Sequence, residues 1–313
     1  MLKVIFMGTP DFALPVLEAI IGSGCDLLAV VTQPDKPKGR GKQLASPPVK
    51  IWAENHGILV LQPEKVKSRD FIEKIAEMAP DLIVTAAFGQ ILPNTLLDVP
   101  PLGCINVHAS LLPKYRGASP IQQALIDGEE KTGVTIMYMD VGMDTGDIIL
   151  TQEISIDPDE NAGQLHDRLA ALGGEALGKA LELFKSGKPA GIPQDHSAAS
   201  YCSKIEKSMG EIRWDNDPAA IKNLVRGLTP WPGAFTCLDG QRLKVWKACE
   251  WEYFTDKEYI PGTVIKADTS DGLIVGCRGG ALRITWLQGP GGKAMDSREY
   301  LRGHTIPEGS ILG

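Results

Sequence analysis

Paired metal and redox cysteines are missing from this 313-residue chain. Its six cysteines, Cys25, Cys104, Cys202, Cys237, Cys249 and Cys277, stand at least twelve positions apart. No C-x-x-C exists to hold zinc or to cycle as a dithiol, and buried free thiols in a reducing compartment are expected. The five histidines include no H-E-x-x-H pair, so nothing in the pattern asks for a metal. No apolar run approaches the roughly 20 residues of a membrane-spanning helix. No G-x-G-x-x-G follows the first apolar run, which removes the dinucleotide fingerprint. Internal repeats and low-complexity tracts are absent as well.

The length leaves room for two domains with substantial cores. Met1-Leu2-Lys3 runs directly into Val4-Ile5-Phe6-Met7. That leaves no stretch for a signal or transit peptide, so a cytoplasmic location is expected. The net charge of −7 is unevenly placed: residues 1–206 carry 18 basic and 26 acidic side chains, residues 207–313 carry 14 and 13. An acidic total speaks weakly against a nucleic-acid ligand, but local patches decide binding.

The most informative stretch runs from Leu102 to Asp147. In Cys104-Ile105-Asn106-Val107-His108, polar side chains alternate with aliphatic ones. Residues two apart in a strand share a face, so Asn106, His108 and, if the strand persists, Ser110 line one side. After a second β-type run comes Asp140-Val-Gly-Met-Asp144-Thr-Gly-Asp147. A carboxylate returning to a His and an Asn is a proton-transfer constellation that needs no metal.

Around this centre the pattern predicts strands at 3–7, 25–31, 59–60, 81–86, 134–139 and 148–156, the last antiparallel, with helices at 13–20, 48–55, 71–78, 118–126 and 161–184. This is an α/β, doubly wound, Rossmann-like domain over residues 1–189. The turn Gly8-Thr9-Pro10 leads into the first helix, whose N-terminus suits a phosphate or carboxylate or simply a connection. The segment 87–93, A-F-G-Q-I-L-P, suits a ligand wall or an ordinary loop equally. In the loop 33–50, Lys36, Lys38, Arg40 and Lys42 alternate with Pro and Gly. That loop cannot be helical, its β pairing is weakened, and its cations are a ready polyanion contact. Pro and Gly density marks a linker, set at 190–206. Beyond it, over 207–313, a helix at 218–227 and about five short strands with Gly turns suit a small OB-type β-barrel, a common nucleic-acid platform.

Several segments together resemble the tetrahydrofolate-dependent formyltransferases, and within them the methionyl-tRNA formyltransferase family. They are G-T-P-D-F-A (8–13), Q-P-D-K-P-K-G-R-G-K (33–42), A-F-G-Q-I-L-P (87–93), N-V-H-A-S-L-L-P-K-Y-R-G-A-S-P-I-Q (106–122), G-M-D-T-G-D (142–147) and L-T-P-W-P-G-A (228–234). The Asn-x-His-x-Ser-Leu-Leu-Pro block marks the superfamily, including enzymes with sugar-nucleotide acceptors. The basic loop and the Trp-Pro-Gly-Ala start of the β-domain narrow it. The resemblance implies 10-formyltetrahydrofolate as co-substrate, no metal, initiator methionyl-tRNA as partner, no membrane contact and a monomer. It implies Asn106, His108 and Asp144 as the catalytic set. Folate contacts would come from Phe88, Gln90, Ile91, Leu92 and Pro93 and from Ser110, Leu111, Leu112 and Pro113. Gly8, Thr9, Pro10, Lys36, Lys38, Arg40 and Lys42 would meet the tRNA substrate, with Arg40 engaging the acceptor stem and the C-terminal domain binding tRNA. The expected chemistry is direct transfer through a tetrahedral intermediate stabilised by Asn106 and His108, with Asp144 assisting proton transfer.

Overall fold

The structure, a computed structural model, describes residues 1–38, 43–252 and 259–313. Two compact units divide the chain. The first comprises Met1–Pro120, Lys131–Ser155 and His166–Cys202; the second comprises Ile121–Glu130, Ile156–Leu165 and Ser203–Gly313.

In the first unit the chain forms β1 (Lys3–Gly8), α1 (Ala13–Gly22), β2 (Asp26–Val31), a short antiparallel ribbon of β3 (Lys36–Lys38) and β4 (Gln43–Ala45), α2 (Pro48–Asn55), β5 (Val60–Leu61), α3 (Arg69–Glu77) and β6 (Leu82–Ala86). It continues through α4 (Asn94–Leu97), β7 (Cys104–His108), β8 (Arg116–Gly117), α5 (Pro120–Ile126), whose body belongs to the second unit, β9 (Lys131–Tyr138), β10 (Ile148–Ser155), α6 (Ala162–Phe184) and β11 (Tyr201–Cys202). Seven strands form one sheet in the order β10-β9-β7-β6-β1-β2-β5. Neighbours from β5 to β7 run parallel, whereas β9 and β10 run antiparallel. β1 and β6 are apolar on both faces because helices cover both sides of a parallel sheet. α1 buries Ala13, Val16, Leu17 and Ile20, the i, i+3, i+4, i+7 stripe of a helix lying on a sheet.

The strand order reverses at β1. From there the chain winds outward through β2 to β5, then returns to β6 on the other side. Ligands of open α/β sheets sit at such a switch point, beyond the carboxyl ends of the strands. Here the loops after β1, β2 and β6 meet. Thr9 Oγ1 donates to the Phe88 carbonyl (3.2 Å), the Gln33 amide N–H donates to Thr9 Oγ1 (3.3 Å), and Gln33 Nε2 donates to the Phe88 carbonyl (3.3 Å).

The second unit adds α7 (Pro218–Gly227), β12 (Ala234–Leu238), β13 (Gln241–Trp251), β14 (Val264–Asp268), β15 (Gly272–Cys277), β16 (Gly280–Gln288), β17 (Met295–Asp296) and α8 (Ser297–Gly303). Its antiparallel sheet has the order β12-β13-β16-β15-β14, with β17 on β16. Chain segments cover both edges: the Ile212 N–H donates to the Phe235 carbonyl beside β12, and the Val264 N–H donates to the Ser310 carbonyl beside β14. Covered edges do not invite strand addition.

Three expectations change. The compact units do not follow 1–189, 190–206 and 207–313. Residues 190–202 belong to the first unit, where Gln194 is buried and β11 pairs with β8. Buried polar contacts hold this stretch down despite its Pro and Gly content. The expected loop 33–50 instead pairs Lys36 with Ala45 and Lys38 with Gln43 across Pro37, which a two-strand ribbon tolerates because each strand has a free edge. Third, the strand of Asn106 and His108 stops at His108, so Ser110 falls outside it. Among the described residues no helix is long and apolar enough to cross a membrane.

Cys25, Cys104, Cys202 and Cys277 are buried, and Cys237 and Cys249 are half-buried. Burial, and secondarily the Asp98 charge, pushes the Cys104 thiol up from 9.0 to about 12. Burial, ahead of Asp217 and Glu250, pushes Cys277 up to about 12 as well. A raised thiol favours the neutral form in the fold, so its stabilisation is intact below pH 9.0 and is lost as the pH climbs towards about 12. The urea midpoint of the Cys104→Ala variant should therefore fall less steeply above pH 9 than that of the parent. Parallel slopes would show that Cys104 does not contribute.

Candidate active site

β7 brings the first two polar groups together. Cys104, Ile105 and Val107 are buried, with Asn106 half-buried and His108 only 6% exposed at the strand end. Asn106 lies opposite Thr85 of β6 and Met137 of β9. Thr85 Oγ1 donates to Asn106 Oδ1 (2.8 Å), which leaves the Nδ2 hydrogens of Asn106 as its available donors.

His108 has its tautomer set by the backbone. Its Nε2 lies 3.0 Å from the Tyr115 carbonyl, an acceptor only, so Nε2 carries hydrogen. The other ring nitrogen, Nδ1, faces Asp144 Oδ2 at 3.7 Å. Asp144 Oδ2 also accepts the Gly117 N–H (2.8 Å). The carboxylate is thus pinned through one oxygen, and Oδ1 is left for other work.

The Asp144 loop is shaped by its own polar residues. Asp140 Oδ1 accepts from the Gly142 N–H (2.9 Å) and from Thr145 Oγ1 (2.6 Å), folding the turn on itself. Asp144 sits at φ +54°, a left-handed conformation that Asp enters more readily than most residues. A Cβ at Gly146 would meet the Tyr138 carbonyl, so only glycine closes the turn there. Gly-Met-Asp-Thr-Gly is therefore a shape requirement as much as a chemical one.

The remaining sequence candidates fall into groups. Gly8 is buried with Thr9 and Pro10 half-buried at the switch point, where Thr9 joins the Phe88 loop. In that loop Phe88 and Leu92 are buried and pack into the core, whereas Ile91 is 80% exposed. Gln90 is half-buried, its Oε1 accepting the Val66 N–H (3.1 Å), and Pro93 is half-buried. Ser110 is buried and donates to the Lys114 carbonyl (2.7 Å); Leu112 is buried with its N–H on Thr135 Oγ1 (3.1 Å). Leu111 and Pro113 are half-buried. Ile91 is thus the exposed side chain of these segments, Pro93, Leu111 and Pro113 are partly exposed, and the Gln90 amide is tied to the Val66 N–H and the Glu64 carbonyl, while Phe88, Leu92, Ser110 and Leu112 are buried. Lys36 is exposed at the start of β3 and Lys38 ends that strand; Arg40 and Lys42 lie outside the described residues. Asp35, at the base of the ribbon, accepts from Gln62, Lys50 and Ser46. The Gln62 amide and then the Lys50 ammonium hold its carboxyl below the usual range.

Sequence reasoning missed a second layer. Tyr115, at φ +59°, presents the carbonyl that fixes His108. Its N–H donates to Ser200 Oγ (2.9 Å), and the Arg116 and Ala118 N–H groups donate to the carbonyls of Ser200 (2.9 Å) and Cys202 (3.1 Å). Arg116 stood inside the K-Y-R-G motif and was available as a signal; Gln194, Ser200 and Cys202 stood in the expected linker and had none.

Comparison with known proteins accounts for this arrangement. The Formyl transferase family model matches residues 2–181, and the Formyl transferase, C-terminal domain model matches residues 204–305. The chain is 50% identical over 312 residues to a protein of Ruminiclostridium cellulolyticum named methionyl-tRNA formyltransferase, covering 100% of both chains. It is 51% identical to the protein of that name from Geotalea daltonii, covering 100% of this chain and 98% of the other. Among solved structures it is similar in fold to the sugar 3N-formyl transferase WlaRD, determined in the presence of dTDP and 5-N-formyl-THF. There the TM-score is 0.66 at 20% identity, over 90% of this chain and 96% of that one. HypX from Aquifex aeolicus in complex with tetrahydrofolic acid gives 0.62 at 17%, over 96% of this chain and 46% of HypX. With both domains matched and half of all positions shared along the full length, the chain belongs to the formyl transferase family, as an enzyme of its methionyl-tRNA formyltransferase branch.

Proposed function

We propose that this enzyme transfers the formyl group of 10-formyltetrahydrofolate to the free amino group of initiator methionyl-tRNA, giving N-formylmethionyl-tRNA for translation initiation in the cytoplasm. One observation carries the reading: identity of 50% over 312 residues, end to end, with a relative named methionyl-tRNA formyltransferase. The sugar formyltransferase likeness, at 20% identity, concerns fold alone.

The local chemistry supports direct transfer. Attack of the amine on the formyl carbon builds negative charge on oxygen, and neutral or cationic N–H donors stabilise it. Asn106 Nδ2 is one such donor. For His108 the donor must be Nδ1, because Nε2 is spent on the Tyr115 carbonyl. The attacking nitrogen loses a proton and N10 of the departing tetrahydrofolate gains one. Asp144 Oδ1 can carry it while Oδ2 keeps its hold on Gly117. No nucleophilic side chain is required, and the Ser110 hydroxyl is turned to the backbone. The folate is taken by the exposed side chains and backbone of the 88–93 and 110–113 segments. Gly8, Thr9, Pro10 and the basic ribbon take the acceptor end of the tRNA, with the C-terminal unit binding the rest. The enzyme works as a monomer.

Formyl transfer from 10-formyltetrahydrofolate to initiator methionyl-tRNA, elongator methionyl-tRNA and a small amine, measured side by side, tests the assignment. Preference for a small amine would sink it. In the same assay Asn106→Ala, His108→Ala and Asp144→Ala should each lower turnover by at least about a hundredfold with folding intact. A variant with near-normal turnover would leave the mechanism.

The basic loop generates a separate expectation. Lysines that meet phosphate contribute without regard to sequence, so Lys36→Ala should shallow the salt dependence by roughly one unit of slope. Arg40→Lys should cut kcat/KM for initiator tRNA further than Lys36→Ala does, since a guanidinium makes planar paired contacts that an ammonium cannot copy. Equal effects of the two changes would reduce the loop to an electrostatic tether.

A further inference from the structure

Among the described residues Arg116 is the largest fully buried side chain, 1% exposed, and it forms no ion pair with a carboxylate. Among the described residues its hydrogen bonds all go to neutral partners. Nε and Nη2 donate to Gln194 Oε1 at 3.1 and 2.6 Å, both Nη atoms lie 3.2 Å from His196 Nδ1, and Nη1 lies 3.4 Å from the Tyr201 hydroxyl. A buried cation without a counter-ion is costly to keep, so this arrangement calls for a purpose beyond packing.

Gln194 supplies the connection. It is 6% exposed, and its Nε2 donates to the backbone carbonyls of Asp144 (2.9 Å) and Gly146 (2.7 Å). Its carboxamide is saturated: two hydrogens given to the acidic loop, one oxygen taken up by the guanidinium. Two strands of the site are therefore joined at one amide. On one side stands the 115–117 backbone, which fixes His108 through the Tyr115 carbonyl and Asp144 through the Gly117 N–H. On the other stands the left-handed turn carrying Asp144. A guanidinium bonded to the amide oxygen polarises the amide and strengthens its N–H donors.

We infer that Gln194 and Arg116 are positioning residues that set the pose of Asp144 against His108. This rests on the proposed role of Asp144 in formyl transfer, but its geometric half stands without it. Both side chains are buried. Displacing a catalytic group by about 1 Å can cost roughly a hundredfold in rate without altering substrate binding.

Gln194→Glu separates positioning from stability. The new carboxylate pairs with Arg116, keeping the buried cation satisfied, but presents oxygen to the carbonyls of Asp144 and Gly146. The full-length Gln194→Glu and Gln194→Met proteins should be compared with the parent and Asp144→Asn. The measurements are kcat, KM for 10-formyltetrahydrofolate, urea midpoint, and hydrogen exchange of the Gly117 amide. For Gln194→Glu the expected result is a kcat lower by about a hundredfold, an unchanged KM for the formyl donor, a midpoint at or above the parent's, and faster exchange at Gly117. Gln194→Met should show the same loss of kcat with a lowered midpoint. Parental kcat in Gln194→Glu, or parental Gly117 protection, overturns the inference. A parent that fails to formylate methionyl-tRNA defeats the functional reading alone, because Gly117 exchange still decides whether Gln194 holds Asp144.

Discussion

The hydrogen bond from His108 Nε2 to the Tyr115 carbonyl is the constraint on which the site depends. A backbone carbonyl cannot donate, so the bond leaves the imidazole one free nitrogen and aims it at Asp144. The carbonyl must itself be held, and Tyr115 occupies a left-handed conformation to present it. Neither the residue nor its neighbours make that conformation favourable on their own. The ladder to Ser200 and Cys202 does, by tying down the amide groups of Tyr115, Arg116 and Ala118. A segment more than eighty positions downstream in sequence thus decides which histidine nitrogen can work.

The sheet adds a second constraint. Because the strand order reverses at β1, the loops after β1, β2 and β6 converge and bond to one another through Thr9, Gln33 and Phe88. In the 88–93 segment the buried side chains Phe88 and Leu92 anchor the loop in the core while Ile91 stays exposed. Such a division gives a ligand surface its rigidity without spending ligand-facing side chains on packing.

What the sequence made legible follows from range of interaction. β7 and its polar–apolar alternation were readable because period 2 is a local property, and the α6 span was readable because its apolar stripe repeats over six turns. The Asp144 turn was readable as chemistry through its carboxylates and as shape through its glycines. Whether the strand persists to Ser110 could not be read locally: it ends two residues earlier, where Ser110 bonds to Thr135 and Lys114, a matter of tertiary hydrogen bonding. Residues 190–202 read as a tether because Pro, Gly and Ser density signals a lack of local structure. It does not say whether distant groups will bond that stretch, and here the Arg116 guanidinium bonds its Gln194 side chain and the β8 edge bonds its backbone.

The second unit is assembled from three separate stretches, and its later part packs against the earlier ones: Lys222 pairs with Asp159 at 3.3 Å, Arg226 reaches the Asp157 carbonyl at 3.3 Å, and Gly227 closes against Ile126. During synthesis, the turn at 156–165 and the helix over Ile121–Ile126 leave the ribosome well before their packing partners exist. At about 5–20 residues per second, the wait until α7 emerges is on the order of ten seconds. The first unit, by contrast, has its last strand in hand at Cys202. The chain therefore has an order of completion written into its connectivity. Recombination that exchanges only the C-terminal stretch between relatives would separate that stretch from the two short segments it was shaped to cover.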